Sequence, residues 1–172
     1  MIKGGTGGAN TLSGAYFEQI TRGEAPGIPL HKKKLGAFYK EKTGKHYSLS
    51  LIRPGTKNGI PADKAERAKM FEGKFLLTKA LEPDEAYLDY ETSTLTIFEK
   101  KFQNCEGSVD EKIQTSGFKM RQYERVAKDL GIENVYYVYI LGDFFKNPYY
   151  QDALDYIRSI PNCDYFFASD NS

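Results

Sequence analysis

The chain has 172 residues, of which 40% are hydrophobic and 27% charged, a composition typical of one soluble globular domain. No apolar run approaches the ~20 residues of a membrane-spanning helix, and the first eight residues, MIKGGTGG, lack the hydrophobic stretch of a secretory signal. Two cysteines, Cys105 and Cys163, supply neither a disulfide framework nor a Cys-x-x-Cys metal motif. We expect a single cytoplasmic domain over residues 1–172, with a flexible glycine-rich stretch at 1–10.

The net charge is only +1, but it is unevenly distributed along the chain. Residues 1–79 hold 15 Lys and Arg against 6 Asp and Glu, whereas residues 80–172 hold 9 against 17. The densest basic patch is Lys32–Lys34 with Lys40, Lys42 and Lys45. A basic half can neutralise phosphates while an acidic half holds a metal ion. Two oppositely charged surfaces that dock on each other within one protein would explain the same split.

Helical patterns alternate with short strand patterns in the first half of the chain. The spacing of apolar residues and the Pro and Gly breaks predict a helix over Leu12–Arg22, a lysine-rich helix over His31–Lys42, a strand over Tyr47–Ile52 and a charged helix over Ala62–Phe71. Phe75–Leu77 fits either a strand or a helix.

A β-hairpin is predicted in the middle of the chain. Glu85–Tyr90 alternates and is rich in aromatic residues, which is typical of a half-buried strand. Glu91–Ser93 is a polar break, and Thr94–Phe98 is β-branched and apolar, which favours a second strand.

The second half has the clearer element signals. Ser108 with Glu111 forms a capping box for a helix that extends to Leu130 and stops at Gly131. The later patterns predict a buried central strand at Val135–Leu141, a helix from Asn147-Pro148 to Ile160, and a short edge strand at Cys163–Phe167. This order of elements predicts an α/β fold: a small mixed β-sheet flanked by helices on both faces.

Two carboxylates and a lysine are predicted to meet at one end of the hairpin. Asp84 begins the first strand, Glu99 and Lys101 end the second, and the period of two places Glu99 and Lys101 on one face. Mg²⁺ prefers oxygen ligands and takes one or two carboxylates with several waters. Three plainer interpretations stay open: Pro83-Asp84 as a common turn dipeptide, Asp89 as the true ligand, and Glu99 with Lys101 as a surface ion pair.

The pattern Pro83-Asp84 followed by Glu99-Lys100-Lys101, with its strand context, resembles the PD-(D/E)xK nuclease superfamily. The segment from Glu99 to Gln114 looks most like type II restriction endonucleases. The resemblance covers most of the chain and implies a restriction-endonuclease-like core and Mg²⁺ held by Asp84, Glu99 and the backbone carbonyl of Lys100. It also implies that Lys101 acts beside the attacking water and that the products carry 5′-phosphate ends.

Several further residues are weaker candidates. Related nucleases often place an acidic residue on the first helix, where Glu18 stands here; an exposed helix carboxylate explains it equally well. Gln103 projects to the same face as Lys101 and is a candidate for phosphate contact. The helix after the hairpin offers polar side chains for double-stranded DNA, or simply for solvent: Lys112, Gln114, Lys119 and Gln122.

The sequence therefore predicts a Mg²⁺-dependent endodeoxyribonuclease, most like a site-specific restriction enzyme. Cutting both strands needs two active sites, so a homodimer or sequential nicking by a monomer is expected. A companion DNA methyltransferase would be encoded elsewhere. The alternatives are a repair or phage nuclease directed by DNA structure, and a non-catalytic DNA-binding subunit of a heteromeric nuclease.

Overall fold

The computed structural model describes residues 23–30, 34–104 and 109–171, which form a mixed α/β fold. The main sheet has five strands, in the spatial order β1 (Ile28–Pro29), β4 (Glu85–Asp89), β5 (Thr94–Lys101), β6 (Asn134–Leu141) and β7 (Cys163–Phe167). A separate parallel pair consists of β2 (His46–Ser48) and β3 (Phe75–Leu77).

Helices flank the sheets. They are α1 (Lys34–Thr43), α2 (Lys64–Met70), α3 (Val109–Ile113), α4 (Ser116–Asp129) and α5 (Gln151–Ser159). None of the helices in the described ranges has the length and apolar character needed to cross a membrane.

The predicted hairpin is confirmed and is continuous with the parallel part of the sheet. Strands β4 and β5 pair antiparallel from Glu85↔Phe98 to Asp89↔Thr94, and Ser93 takes a left-handed φ of 50° in the turn between them. Strand β5 continues to Lys101 because its other edge pairs with parallel β6 up to Lys101↔Leu141. Glu99 and Lys101 therefore lie inside the sheet, with their backbone fixed by a neighbouring strand.

Alternation along the strands gives the sheet two distinct faces. The first face carries the larger core, which includes Ala86 and Leu88 of β4, Leu95 and Ile97 of β5, and Tyr137 and Tyr139 of β6. The second face carries a smaller cluster around Phe98 and Ile140. The same alternation places Glu99 and Lys101 on the first face and Lys100 on the second.

The expectation of a mixed sheet flanked by helices is confirmed, and four helices of the described ranges pack on its first face. The buried apolar residues of α1, α3, α4 and α5 all belong to the first-face core. The connections β5–α4–β6 and β6–α5–β7 join parallel strands in the same direction, and the preferred right-handed crossover puts both helices on one side. Among the described residues outside the strands, Ala25, Phe102 and Ala168 pack against the second-face cluster.

The first predicted strand is shorter in the structure than in the prediction. The strand predicted over Tyr47–Ile52 ends at Ser48, where its pairing with β3 ends. The chain then forms a 3₁₀ turn at Leu49–Leu51, where the Ser50 hydroxyl accepts a hydrogen bond from the Ala80 amide. Serine side chains commonly compete with strand pairing in this way.

The single helix predicted from Ser108 to Leu130 is divided into α3 and α4. The division falls at Gln114 and Thr115, where the Thr115 hydroxyl donates to the Lys112 carbonyl at 2.7 Å and closes a local turn. The predicted end at Gly131 is confirmed by its left-handed φ of 72°. Ser108 itself lies outside the described residues, as does the predicted helix Leu12–Arg22.

The remaining predictions for the second half are confirmed. Strand β6 is an interior strand, between β5 and β7, and β7 is an edge strand. Asn147 caps the turn that leads into α5 by accepting a hydrogen bond from the Tyr149 amide. Cys163 is buried, and burial raises the pKa of its thiol to about 11, which suits an inert core residue.

In the first half of the chain, Phe75–Leu77, which fits either a strand or a helix by sequence, is a strand.

Candidate active site

Asp84 and Glu99 lie next to each other across the end of the hairpin. The last paired residues of the hairpin are Glu85 and Phe98, so Asp84, directly before β4, and Glu99 of β5 both adjoin this pair. Glu99 shares the first face with Ile97 by strand alternation. The backbone N–H of Lys100 donates to Oδ2 of Asp84 at 2.7 Å, which ties the carboxylate to the end of β5.

The Glu99 carboxylate is held by two ammonium groups. Nζ of Lys101 and Nζ of Lys119 lie 2.7 and 2.8 Å from the same oxygen, Oε1. The Glu99 side chain is only 12% exposed. Burial by itself would raise the pKa of Glu99, but the two neighbouring ammonium groups outweigh it and hold that pKa below its usual value. Glu99 is therefore ionised at neutral pH.

Donor and acceptor capacity remains at this cluster. Lys101 also donates to the Lys100 carbonyl at 3.1 Å, and Lys119 makes its one hydrogen bond within the described ranges to Glu99. An ammonium group has three N–H donors, so Lys101 keeps one and Lys119 keeps two for a ligand. The second oxygen of Glu99, Oε2, accepts no hydrogen bond from any described residue.

A layer of tyrosines lies beneath the two carboxylates. Tyr123 of α4 is 1% exposed and stacks on Tyr137 of β6. The pKa of Tyr123 is raised, first by burial and further by the negative charges of Glu99 and Asp84. Burial and the charge of Glu99 also raise the pKa of Tyr139 to about 12. The charges of both carboxylates therefore act on a tyrosine of the first-face core.

The residues of this cluster can hold a hard divalent cation only if water and substrate oxygens complete its coordination. The described residues contain no group of three or more His, Cys, Asp or Glu that could hold a metal ion. A cation here would depend on the carboxylates of Asp84 and Glu99, the Lys100 carbonyl, water and a substrate oxygen. That is the coordination Mg²⁺ prefers, since it keeps several waters and takes few protein ligands.

Asp89 is excluded as the partner of Glu99. It lies at the opposite end of the hairpin, paired with Thr94. Its carboxylate accepts from the Glu91 amide at 2.9 Å and from the Thr92 hydroxyl at 2.8 Å, and these bonds lower its pKa. Asp89 therefore has a structural role in the turn, and the alternative ligand considered from the sequence is wrong.

The other predicted residues are only partly brought to the site. Lys119 reaches Glu99, whereas Lys112 and Gln114 are exposed on and just after α3. Gln103 is 5% exposed, and neither polar atom of its amide has a partner among the described residues. It borders an open depression of about 390 Å³ at the ends of β5, β6 and β7. Glu18, Lys32 and Lys33 lie outside the described residues, and Lys34 is exposed.

Sequence reasoning missed a buried ion pair on the opposite face of the sheet. Nζ of Lys100 lies 2.7 Å from Oε1 of Glu85, and the two side chains are 5% and 11% exposed. The signal was present in the sequence: once Glu85 is placed opposite Phe98, Lys100 is its diagonal neighbour two residues on. Diagonal neighbours of opposite charge are within reach when the side chains are long.

No protein-family model, curated protein or solved structure matches the chain. The case for a function therefore depends on the residues and the geometry of this cluster.

Proposed function

We propose that the protein is a Mg²⁺-dependent nuclease that hydrolyses phosphodiester bonds in double-stranded DNA. One observation carries the proposal: two carboxylates and two lysines, from three separate elements, converge at the end of β5. Asp84 is fixed by the Lys100 amide, and Glu99 receives both Lys101 and Lys119 on one oxygen. These are the residue types that divalent-cation-assisted phosphate hydrolysis requires.

The charges of the cluster favour a cation that accompanies the substrate. Asp84 and Glu99 carry two negative charges, and Lys101 and Lys119 carry two positive charges. A phosphodiester would add a negative charge to a partly buried and already balanced group, which is costly without compensation. Asp84, Glu99 and the Lys100 carbonyl would hold Mg²⁺, which when bound neutralises phosphate charge and lowers the pKa of water.

The side chains of the chain itself would orient the reactants. The unused N–H of Lys101 would donate to the attacking water or to a phosphate oxygen, while its bonds to Glu99 and to the Lys100 carbonyl fix its direction. Lys119 would donate to a second phosphate oxygen from the α4 side. Addition of water across the P–O3′ bond breaks that bond, leaves a 5′-phosphate, and returns a proton to the 3′ oxygen.

Plasmid cleavage tests the proposal directly. The purified protein is incubated with supercoiled plasmid and Mg²⁺, alongside Asp84→Asn, Lys101→Met and the control Asp89→Asn, whose carboxylate lies at the far end of the hairpin. We expect cleavage by the wild type and the control, and a loss of about 100-fold or more in the two site variants. Equal cleavage by Asp84→Asn and wild type would overturn the proposal.

The products distinguish the kinds of nuclease. Discrete fragments from linear DNA indicate a site-specific enzyme of the restriction type, and a smear indicates an enzyme directed by DNA structure. Binding in a gel shift without cutting at any Mg²⁺ concentration indicates a non-catalytic DNA-binding subunit and contradicts the proposed activity. Sedimentation with and without DNA shows whether two copies act on one duplex.

A further inference from the structure

Lys100 contacts both faces of the sheet at the candidate active site. Its backbone N–H donates to Asp84 and its backbone carbonyl accepts from Lys101, so its main chain is bonded to both functional side chains. Its side chain points to the second face, where Nζ is 2.7 Å from Oε1 of Glu85. The residue between the two functional positions therefore links them to a charge on the other side of the sheet.

The Glu85–Lys100 pair is well enclosed and uses both carboxylate oxygens. Oε2 of Glu85 accepts a hydrogen bond from the Gly23 amide at 2.8 Å, and Oε1 receives Lys100. A buried ion pair is a poor source of stability, because the loss of hydration offsets the attraction between the charges. What such a pair supplies is a fixed geometry, since a shift of either side chain breaks the 2.7 Å contact between Nζ of Lys100 and Oε1 of Glu85.

The pair joins the same two strand ends that carry the site. Asp84 and Glu85 are consecutive at the start of β4, and Glu99 and Lys100 are consecutive near the end of β5. Alternation sends Glu99 to the first face and Lys100 to the second, where Lys100 meets Glu85. Any separation of the strand ends on the second face therefore also changes the distance between the Asp84 and Glu99 carboxylates.

The segment at Gly23 closes this arrangement from outside. The Tyr87 hydroxyl donates to the Gly23 carbonyl at 2.9 Å, and a Cβ placed on Gly23 would lie 2.3 Å from the Phe98 ring. Gly23 therefore lies directly against the sheet, with its amide aimed at Glu85.

We propose that Glu85 and Lys100 are positioning residues of the proposed nuclease site, which set the separation of the metal-binding carboxylates from the opposite face of the sheet. The inference rests on the proposed function, because it concerns the binding of Mg²⁺ by Asp84, Glu99 and the Lys100 carbonyl. Neither Glu85 nor the Lys100 ammonium group touches the substrate in this scheme.

The experiment compares single variants with the double variant. Glu85→Gln and Lys100→Met each remove one charge of the pair, so both should lower the thermal midpoint. The double variant Glu85→Gln/Lys100→Met removes both charges together, so its midpoint should fall by less than the sum of the two single losses. Its ion pair is still missing, so we expect Mg²⁺ affinity by calorimetry to stay about 10-fold weaker than wild type. The Mg²⁺ concentration for half-maximal cleavage should rise in parallel.

A local measurement and a matched control complete the design. Hydrogen exchange of the Lys100 amide, which Asp84 protects, should be faster in the double variant than in wild type. Lys45→Met removes the more exposed ion pair with Asp129 and should change neither Mg²⁺ affinity nor this exchange rate. If the double variant does not fold, Glu85→Asp keeps the charge but shortens its reach, and should likewise weaken Mg²⁺ binding.

The possible outcomes separate this inference from the proposed function. A folded double variant, or Glu85→Asp, with wild-type Mg²⁺ affinity and half-saturation would overturn the positioning role while leaving the nuclease proposal intact. A wild-type protein that binds Mg²⁺ no better than Asp84→Asn would overturn both.

Discussion

Lys119 lies twenty positions after Glu99 in the chain, yet its ammonium nitrogen is 2.8 Å from the Glu99 carboxylate. The contact joins helix α4 to strand β5 and brings a second cation to the oxygen that Lys101 already binds. The first face of the sheet therefore holds two lysines where the local pattern in the sequence indicates one.

Replacing Lys119 should impair catalysis without unfolding the protein. Lys119→Met removes one of two cations from Glu99 and, under the proposed function, two N–H donors to the phosphate, so we expect the cleavage rate to fall by up to about 100-fold. Single-turnover cleavage of a labelled duplex measures the effect. Lys112→Met, on exposed α3, is the matched control. A Lys119→Met enzyme as fast as the control would show that Lys119 only balances charge.

The acid stability of the protein should depend on Glu99. Because the folded pKa of Glu99 is below its ordinary value of 4.5, its ionised form is favoured by folding. Its contribution should be fully present above pH 4.5 and be lost as the pH falls through the lower folded pKa. Urea unfolding of wild type and Glu99→Gln over this range measures the difference in free energy, which should shrink toward low pH. A difference that stays constant with pH would contradict this account.

A tyrosine hydroxyl should stabilise the junction of α1 and α4. The Tyr39 ring is fully buried, and its hydroxyl donates to Oδ2 of Asp129 at 2.7 Å, a contact that is partly open to solvent. Tyr39→Phe should lower the free energy of unfolding by about 1.5 kcal/mol, the lower end of the range for hydrogen bonds to charged groups. Denaturant titration measures this, with Tyr149→Phe, which is 79% exposed, expected to change nothing.

Two glycine substitutions should have opposite outcomes. Alanine at Gly23 would place its Cβ 2.3 Å from the Phe98 ring, in a packed part of the second face, and should cost about 1–3 kcal/mol. Alanine at Gly117 would meet the Tyr156 hydroxyl at 2.9 Å, but that is the tip of a half-exposed side chain that can move. Better helix propensity, worth up to about 1 kcal/mol, should then make Gly117→Ala neutral or stabilising.

The contrast between the two alanine variants is measured by thermal unfolding. A Gly23→Ala protein as stable as wild type would mean that the segment at Gly23 is not held firmly against Phe98. Such a result would also weaken the role assigned to the Glu85 contact with the Gly23 amide.

The helices and strands were predicted best where the local sequence alone has a clear strand or helix pattern. The alternation of Glu85–Asp89 and the β-branched run from Thr94 predicted the hairpin, and the apolar run of β6 predicted an interior strand. The Tyr47–Ile52 prediction is wrong because the chain turns into a 3₁₀ helix at Leu49–Leu51 after pairing with β3 as far as Ser48.

Only the part of the site that lies on the hairpin could be predicted from the sequence. The period of two places Glu99 and Lys101 together, and the hairpin register brings Asp84 beside them. The contact of Lys119 with Glu99 depends on how α4 packs on the sheet, and no local pattern in the sequence encodes that packing. Prediction of the Glu85–Lys100 pair would need the exact register of β4 and β5. It would also need the knowledge that these two charged side chains are buried.

The shared end point of the three parallel strands has a consequence for how the sequence of this protein can evolve. Strands β5, β6 and β7 finish in register, at Lys101, Leu141 and Phe167. The segments that follow them, from Phe102, Gly142 and Ala168, all start at one rim beside Lys101 and together border the same depression. Substitutions or insertions in these segments can remodel the border of the cluster while the backbone under Glu99 and Lys101 keeps its pairing.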